Sequence, residues 1–187
     1  MRKFDPKQAD YLDSTDRRER MEPEDILSLL DLDRDDIVLD LGAGTGFLTF
    51  PISERVNEGK VYAVDVQEEM LEKLRERCDK HGCGNIEILV NEEGSIPLPD
   101  SEIDKAFLMN VLHEIEDMGT FEELYRVLKK DGKICVIDWD KEGGSAHGPP
   151  TYERYTLEEA VELLGRYGFE ELDSGRDEDH YFLCLSK

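Results

Sequence analysis

The sequence has little positive charge: 23 lysines and arginines stand against 46 aspartates and glutamates, a formal net charge of −23. Polyanions are bound by basic side chains that displace counterions, so nucleic acid and anionic membrane surfaces are not expected partners. Long apolar runs are also missing. No stretch reaches the roughly 18 residues of a transmembrane helix, and the start, Met-Arg-Lys-Phe-Asp-Pro, has no apolar core of a signal peptide. The expectation is a soluble, cytoplasmic protein. Cysteine is scarce. Cys78 and Cys83 have no second pair at zinc-finger spacing, so no metal site is expected, and Cys135 and Cys184 lie in apolar runs where cysteine behaves as a small hydrophobe. There is no internal repeat and no low-complexity tract.

What remains suffices for a core. Leu, Ile, Val and Phe together number 49, about a quarter of 187 residues, and above the roughly 20% below which high charge implies disorder. That length suits a single domain, 1–187. Residues 1–36 are polar, with Pro23-Glu24-Asp25 opening a short helix that carries Ile26, Leu27, Leu29 and Leu30. From Ile37 onward apolar runs alternate with charged amphipathic ones. Strands are predicted over 37–41, 60–65, 85–90, 103–109, 133–138, 169–174 and 180–186. Helices are predicted over about 46–56, 67–81, 122–129 and 156–167, the last opened by a Thr156-x-x-Glu159 capping box. Such alternation implies an α/β fold with a doubly wound sheet. About five residues separate the last two strands, too few for a parallel crossover, so the last strand must be antiparallel in a seven-stranded mixed sheet.

Ligands of such sheets bind at the carboxyl ends of the strands. Asp40-Leu41-Gly42-Ala43-Gly44-Thr45-Gly46 ends the first strand, and its glycines let backbone approach a ligand closely. Asp65 ends the second strand 19 residues beyond Gly46, where a carboxylate can accept both hydroxyls of a ribose. A dinucleotide site, as in a nicotinamide-dependent oxidoreductase, needs Gly-x-Gly-x-x-Gly or Ala; counted from Gly42 that places Phe47 last, and Asp40 would repel a pyrophosphate. A cationic ligand would be attracted instead.

Val-Leu-Asp-Leu-Gly-Ala-Gly-Thr-Gly-Phe (38–47) followed by Val-Tyr-Ala-Val-Asp-Val (61–66) resembles the first two motifs of the class I S-adenosylmethionine-dependent methyltransferases, a Rossmann-like fold. Ile-Pro-Leu-Pro-Asp-Ser-Glu-Ile-Asp (96–104) and Asn-Val-Leu-His-Glu-Ile (110–115) extend the resemblance to the small-molecule branch, near the quinone-biosynthesis and arsenite-methylating enzymes. The resemblance implies a cofactor, S-adenosylmethionine, whose methionine end meets Asp40, Gly42, Ala43, Gly44 and Gly46 and whose ribose meets Asp65. It implies Val66 and Met70 near the adenine, Glu93 and Gly94 at the adenine edge, and Asn110 in the pocket wall. Relatives often carry Gly-Asp-Ala where this chain has Asn91-Glu92-Glu93, a departure at the adenine end.

Methyl transfer from a sulfonium needs an aligned acceptor and, for acidic acceptors, a base. His113 is the candidate base, with packing at a helix start as the competing reading. Trp139, His147 and Arg154 are candidate acceptor contacts. Tyr11 with Arg17 or Arg18 would belong to a lid formed by the N-terminal segment. The expected reaction is transfer to a small-molecule acceptor, an organic one before arsenite, because Cys135 and Cys184 read as strand interior. A non-catalytic module that binds the cofactor is the remaining alternative.

Overall fold

The central apolar runs form the strands they predict, because both faces of the sheet are covered there and each strand interior must exclude water. The computed structural model describes residues 21–144 and 148–187. In chain order the elements are α1 (Pro23–Ser28), β1 (Ile37–Leu41), α2 (Thr49–Arg55), β2 (Lys60–Asp65), α3 (Glu68–His81), β3 (Ile86–Val90), β4 (Ile103–Met109), α4 (Gly119–Val127), β5 (Leu128–Trp139), α5 (Leu157–Gly165), β6 (Glu170–Arg176) and β7 (His180–Ser186). Single 3-10 turns occupy Leu112–Glu114 and Thr151–Glu153.

The sheet has seven strands in the order β3-β2-β1-β4-β5-β7-β6. All neighbours run parallel except β7, which is antiparallel to both β5 and β6. The order reverses between β1 and β4, so the carboxyl ends of those two strands frame the crevice where ligands of such sheets bind. On one face Leu39 and Leu41 pack with Phe121 and Leu124 of α4 and Ala160 and Leu164 of α5; on the other Val38 packs with Ile26, Leu27 and Leu30 and with Ile52 of α2. Burial of a side chain of this size stabilises the fold by roughly 1.5–3 kcal/mol. Cys135 and Cys184 face each other across β5 and β7 as free thiols, Sγ to Sγ 3.4 Å, within that second cluster.

Two boundaries differ from the sequence reading. The helix predicted over 122–129 starts at Gly119 and stops at Val127, and Leu128 already pairs with Ile103 as the first residue of β5. The Asp131-Gly132 signal is real, but it marks an irregularity inside that strand: Asp131 has φ 65° and the register slips between Ile103 and Lys105. A pairing 25 residues upstream overrides the local helical preference of Leu128 and Lys129. The helix from 156 has its capping box, Thr156 Oγ1 accepting from Glu159 N while Glu159 Oε2 accepts from Thr156 N, and ends at Gly165 with Gly168 in the left-handed region (φ 95°).

A loop under the crevice is clamped by one side chain. Arg126 donates to the carbonyls of Ile96 and Leu98 and to the carboxylates of Asp100 and Glu123. The hydrogen bond to Arg126, and a further one from Ile96 N, outweigh partial burial and pull the Glu123 carboxyl down to about 2. No described helix is long and apolar enough to cross a membrane.

Candidate active site

The turn after β1 is bent back by its own backbone. Gly42 N and Ala43 N both donate to Val64 O, at 2.7 and 3.1 Å, and Arg77 Nη1 donates to Thr45 O at 2.8 Å. Gly42 adopts φ 77° and lies so close to Val111 that a Cβ there would come within 2.2 Å of a valine methyl. Only glycine satisfies both demands. Asp40 is fixed below the turn by Thr49, whose hydroxyl donates at 2.6 Å. Asp65 is aimed at the turn: Oδ2 accepts from Gly44 N and Oδ1 from Gln67 N, each at 2.8 Å. The same residue's carbonyl accepts from Asn91 N, which ties the end of β3 to the end of β2.

Beyond β4 the chain turns through Asn110 (φ 57°), anchored by its N–H on Ile137 O, into the 3-10 turn that carries His113. His113 Nδ1 lies 2.6 Å from Asp138 Oδ1 at the end of β5, and its backbone N–H donates to the other carboxylate oxygen at 3.1 Å. With Asp138 as acceptor, Nδ1 carries the proton and Nε2 is the basic atom. Burial opposes the charged imidazolium and is the largest single influence, but Asp138, Glu114 and Glu153 together overcome it and raise the His113 pKa above its usual 6.5. Glu114 Oε1 is 3.8 Å from Nε2.

These groups share one cavity of about 660 Å³, within the roughly 300–1,000 Å³ typical of small-ligand sites. Its wall contains Asp40, Gly42, Ala43, Gly44, Asp65, Val66, Met70, Glu93, Asn110 and His113, all singled out by the sequence. Gly46 and Gly94 stand outside the wall. A Cβ on Gly46 would meet Leu74 at 2.5 Å and one on Gly94 would meet the Asp117 carboxylate at 2.3 Å, so their openness serves packing. Met70 is buried as well as wall-forming. Of the acids after β3, Glu93 is in the wall and Glu92 is not.

Trp139 also lines the cavity, its ring 4.1 Å from that of His180 directly across the β5–β7 pair. Arg154, expected as an acceptor contact, stands outside the wall. It is buried over the Trp139 ring and donates from Nε to Pro149 O. His147 and the lid residues Tyr11, Arg17 and Arg18 lie outside the described residues. Glu153 and Asp177, Glu178, Asp179 and His180 also line the wall, and sequence reasoning missed them. Their only sequence signal is a cluster of acids between two strands, and it takes the pairing of β7 with β5 to carry that hairpin tip to the mouth of the cavity.

A family profile described as "Methyltransferase domain" matches residues 38–132. The arsenite methyltransferase of Halobacterium salinarum is 34% identical over 103 residues, 54% of this chain and 26% of that protein. The ubiquinone/menaquinone biosynthesis C-methyltransferase of Escherichia coli is 36% identical over 111 residues, 58% of this chain and 44% of that protein. The chain thus spans less than half the length of these curated relatives. A crystal structure of a SAM-dependent methyltransferase from Aquifex aeolicus is similar over 98% of this chain and 99% of its own, with TM-score 0.93 at 36% identity. The [4+2]-cyclase SpnF shares the fold alone, with TM-score 0.78 at 20% identity over 88% of this chain and 79% of its own.

Proposed function

Because this chain belongs to the class I S-adenosylmethionine-dependent methyltransferases, we propose that its cavity holds that cofactor and presents the methyl group to a small-molecule acceptor entering beside Trp139. The observation that carries the reading is the continuity of the cavity. One space joins the glycine turn and Asp65 at one end to the His113–Asp138 pair at the other.

The wall suits this cofactor. S-adenosylmethionine has no phosphate but bears a sulfonium and an ammonium, and the described wall contains carboxylates and no lysine or arginine. Among the polar atoms buried in it without a partner are Thr45 Oγ1 and Asn91 Oδ1, each able to accept a donor that a bound nucleoside would carry. Asp65 would take the ribose hydroxyls, the Gly42–Gly44 backbone and Asp40 the methionine end, and Val66 and Met70 the apolar adenine faces.

When bound, the cofactor supplies an electrophilic methyl carbon on a good leaving group. The protein must then hold the acceptor in line and exclude water. His113 Nε2 is the group placed to remove a proton from the acceptor. Asp138 fixes the tautomer and orientation of the ring and stabilises the imidazolium that results.

Calorimetry with S-adenosylhomocysteine tests the assignment. Asp65→Ala is expected to weaken binding by at least about tenfold, the loss of a charge-assisted hydrogen bond worth roughly 1.5–3 kcal/mol. Unchanged affinity would remove Asp65 from the site. Stabilisation by a nicotinamide dinucleotide, with none by S-adenosylhomocysteine, would replace the methyltransferase reading with a dehydrogenase.

A further inference from the structure

We propose that the methyl acceptor is a cationic amine, recognised by a ring of carboxylates at the His113 end of the cavity; the inference rests on the methyltransferase reading above. Glu114 and Glu153 flank the imidazole, and Asp177, Glu178 and Asp179 form the β6–β7 hairpin tip in the same wall. The tip is held in shape. Asp177 Oδ1 accepts from Asp179 N at 2.8 Å and from His180 N at 2.7 Å, and Asp179 O accepts from Asp140 N. The backbone of the tip is therefore fixed beside Trp139, directly across from His180.

The charge balance of the described wall favours one acceptor class. Among the described residues the wall has no lysine or arginine to receive a carboxylate or phosphate. The buried Arg154 sits over the Trp139 ring but is not part of the wall. An anionic acceptor would meet several like charges in a partly enclosed space, whereas an ammonium would meet several opposite ones.

A second observation is independent of charge. Asn110 Oδ1, three residues before His113, is buried in the wall without a donor. That oxygen awaits an N–H group, which an ammonium supplies and a carboxylate does not.

The chemistry closes on the same residues. The bound ammonium gives one proton to His113 Nε2. Its freed lone pair then forms the nitrogen–carbon bond as the carbon–sulfur bond breaks, both electrons of that bond staying on sulfur as a neutral thioether. The product is the N-methylammonium, and the proton on His113 passes to solvent.

The test uses the full chain loaded with S-adenosylhomocysteine, whose own binding is measured first. Two pairs matched in shape and opposite in charge then serve as probes: tyramine against 4-hydroxyphenylacetate, and histamine against imidazole-4-acetate. Calorimetry is expected to show the amine of at least one pair bound about tenfold more tightly than its carboxylate, and mass spectrometry with S-adenosylmethionine to show its N-methyl product. In Glu114→Gln and Glu153→Gln, each checked for an unchanged melting temperature, the preference should shrink about threefold or more. A carboxylate bound as tightly as its amine, no amine bound, or a preference untouched by both variants overturns the proposal while the cofactor assignment stands. Failure of S-adenosylhomocysteine to bind overturns the reading beneath it as well.

Discussion

At the scale of the residue, the His113–Asp138 pair is the part of the site whose chemistry depends most on surroundings. An isolated histidine is a weak statement in a sequence. Placed 2.6 Å from a carboxylate that is 1% exposed, it has a fixed tautomer and a raised proton affinity. His113→Ala is expected to lower kcat by about 10²–10⁴-fold while calorimetric affinity for S-adenosylhomocysteine is retained. Turnover equal to wild type would return His113 to a packing role. The sign of the pH dependence follows from the direction of the shift. As a base, His113 acts when neutral, so kcat/KM should rise with pH through a value above 6.5, and Asp138→Asn should move that inflection down. For stability the sense is opposite. The charged ring is favoured in the fold, so its contribution is fully present below about 6.5 and is lost as pH rises through the raised value.

At the scale of the element, the β1–α2 turn and the β6–β7 hairpin tip differ in how they are held. The turn is held by backbone conformation and close approach. Gly42→Ala puts a methyl within 2.2 Å of Val111 at φ 77°, which combines a clash with roughly 1–2 kcal/mol of left-handed strain. It should lower the melting temperature by several degrees and abolish measurable S-adenosylhomocysteine binding, since the turn and the start of the 111–114 segment must separate. Wild-type affinity in that variant would show that the turn adapts and does not shape the cavity. The hairpin tip depends instead on backbone N–H groups donating to the Asp177 side chain, so acids with no local meaning in sequence become a defined rim.

At the scale of the whole molecule, the charge of −23 has more than one consequence. Described cations are largely committed to surface pairs such as Arg34–Glu58, Arg55–Glu24 and Arg166–Glu162, which leaves the excess acids to repel one another. Raising ionic strength from about 0.01 M to about 0.15 M shortens the screening length from roughly 30 Å to roughly 8 Å. The melting temperature should therefore rise by a few degrees in scanning fluorimetry. A fall would mean that the attractive surface pairs outweigh the net repulsion. A share of the same acid excess lines the cavity, where it favours cationic ligands.

The sequence by itself determined the seven strands and their alternation with helices, the antiparallel last strand, the glycine turn and Asp65. Those features are written in contiguous residues, as apolar runs, glycine spacing and loop lengths too short for a crossover. It misplaced the α4–β5 boundary because the pairing of Leu128 with Ile103 outweighs local helical preference. Only the tertiary structure decided that Asp138 orients His113 across 25 residues, that Gly46 and Gly94 serve packing, that Arg154 is buried, and that Asp177 to His180 reach the cavity mouth. The physical reason is common to all four. Each depends on which elements the whole chain packs together, set by burial of the two sheet faces, a quantity no local pattern carries.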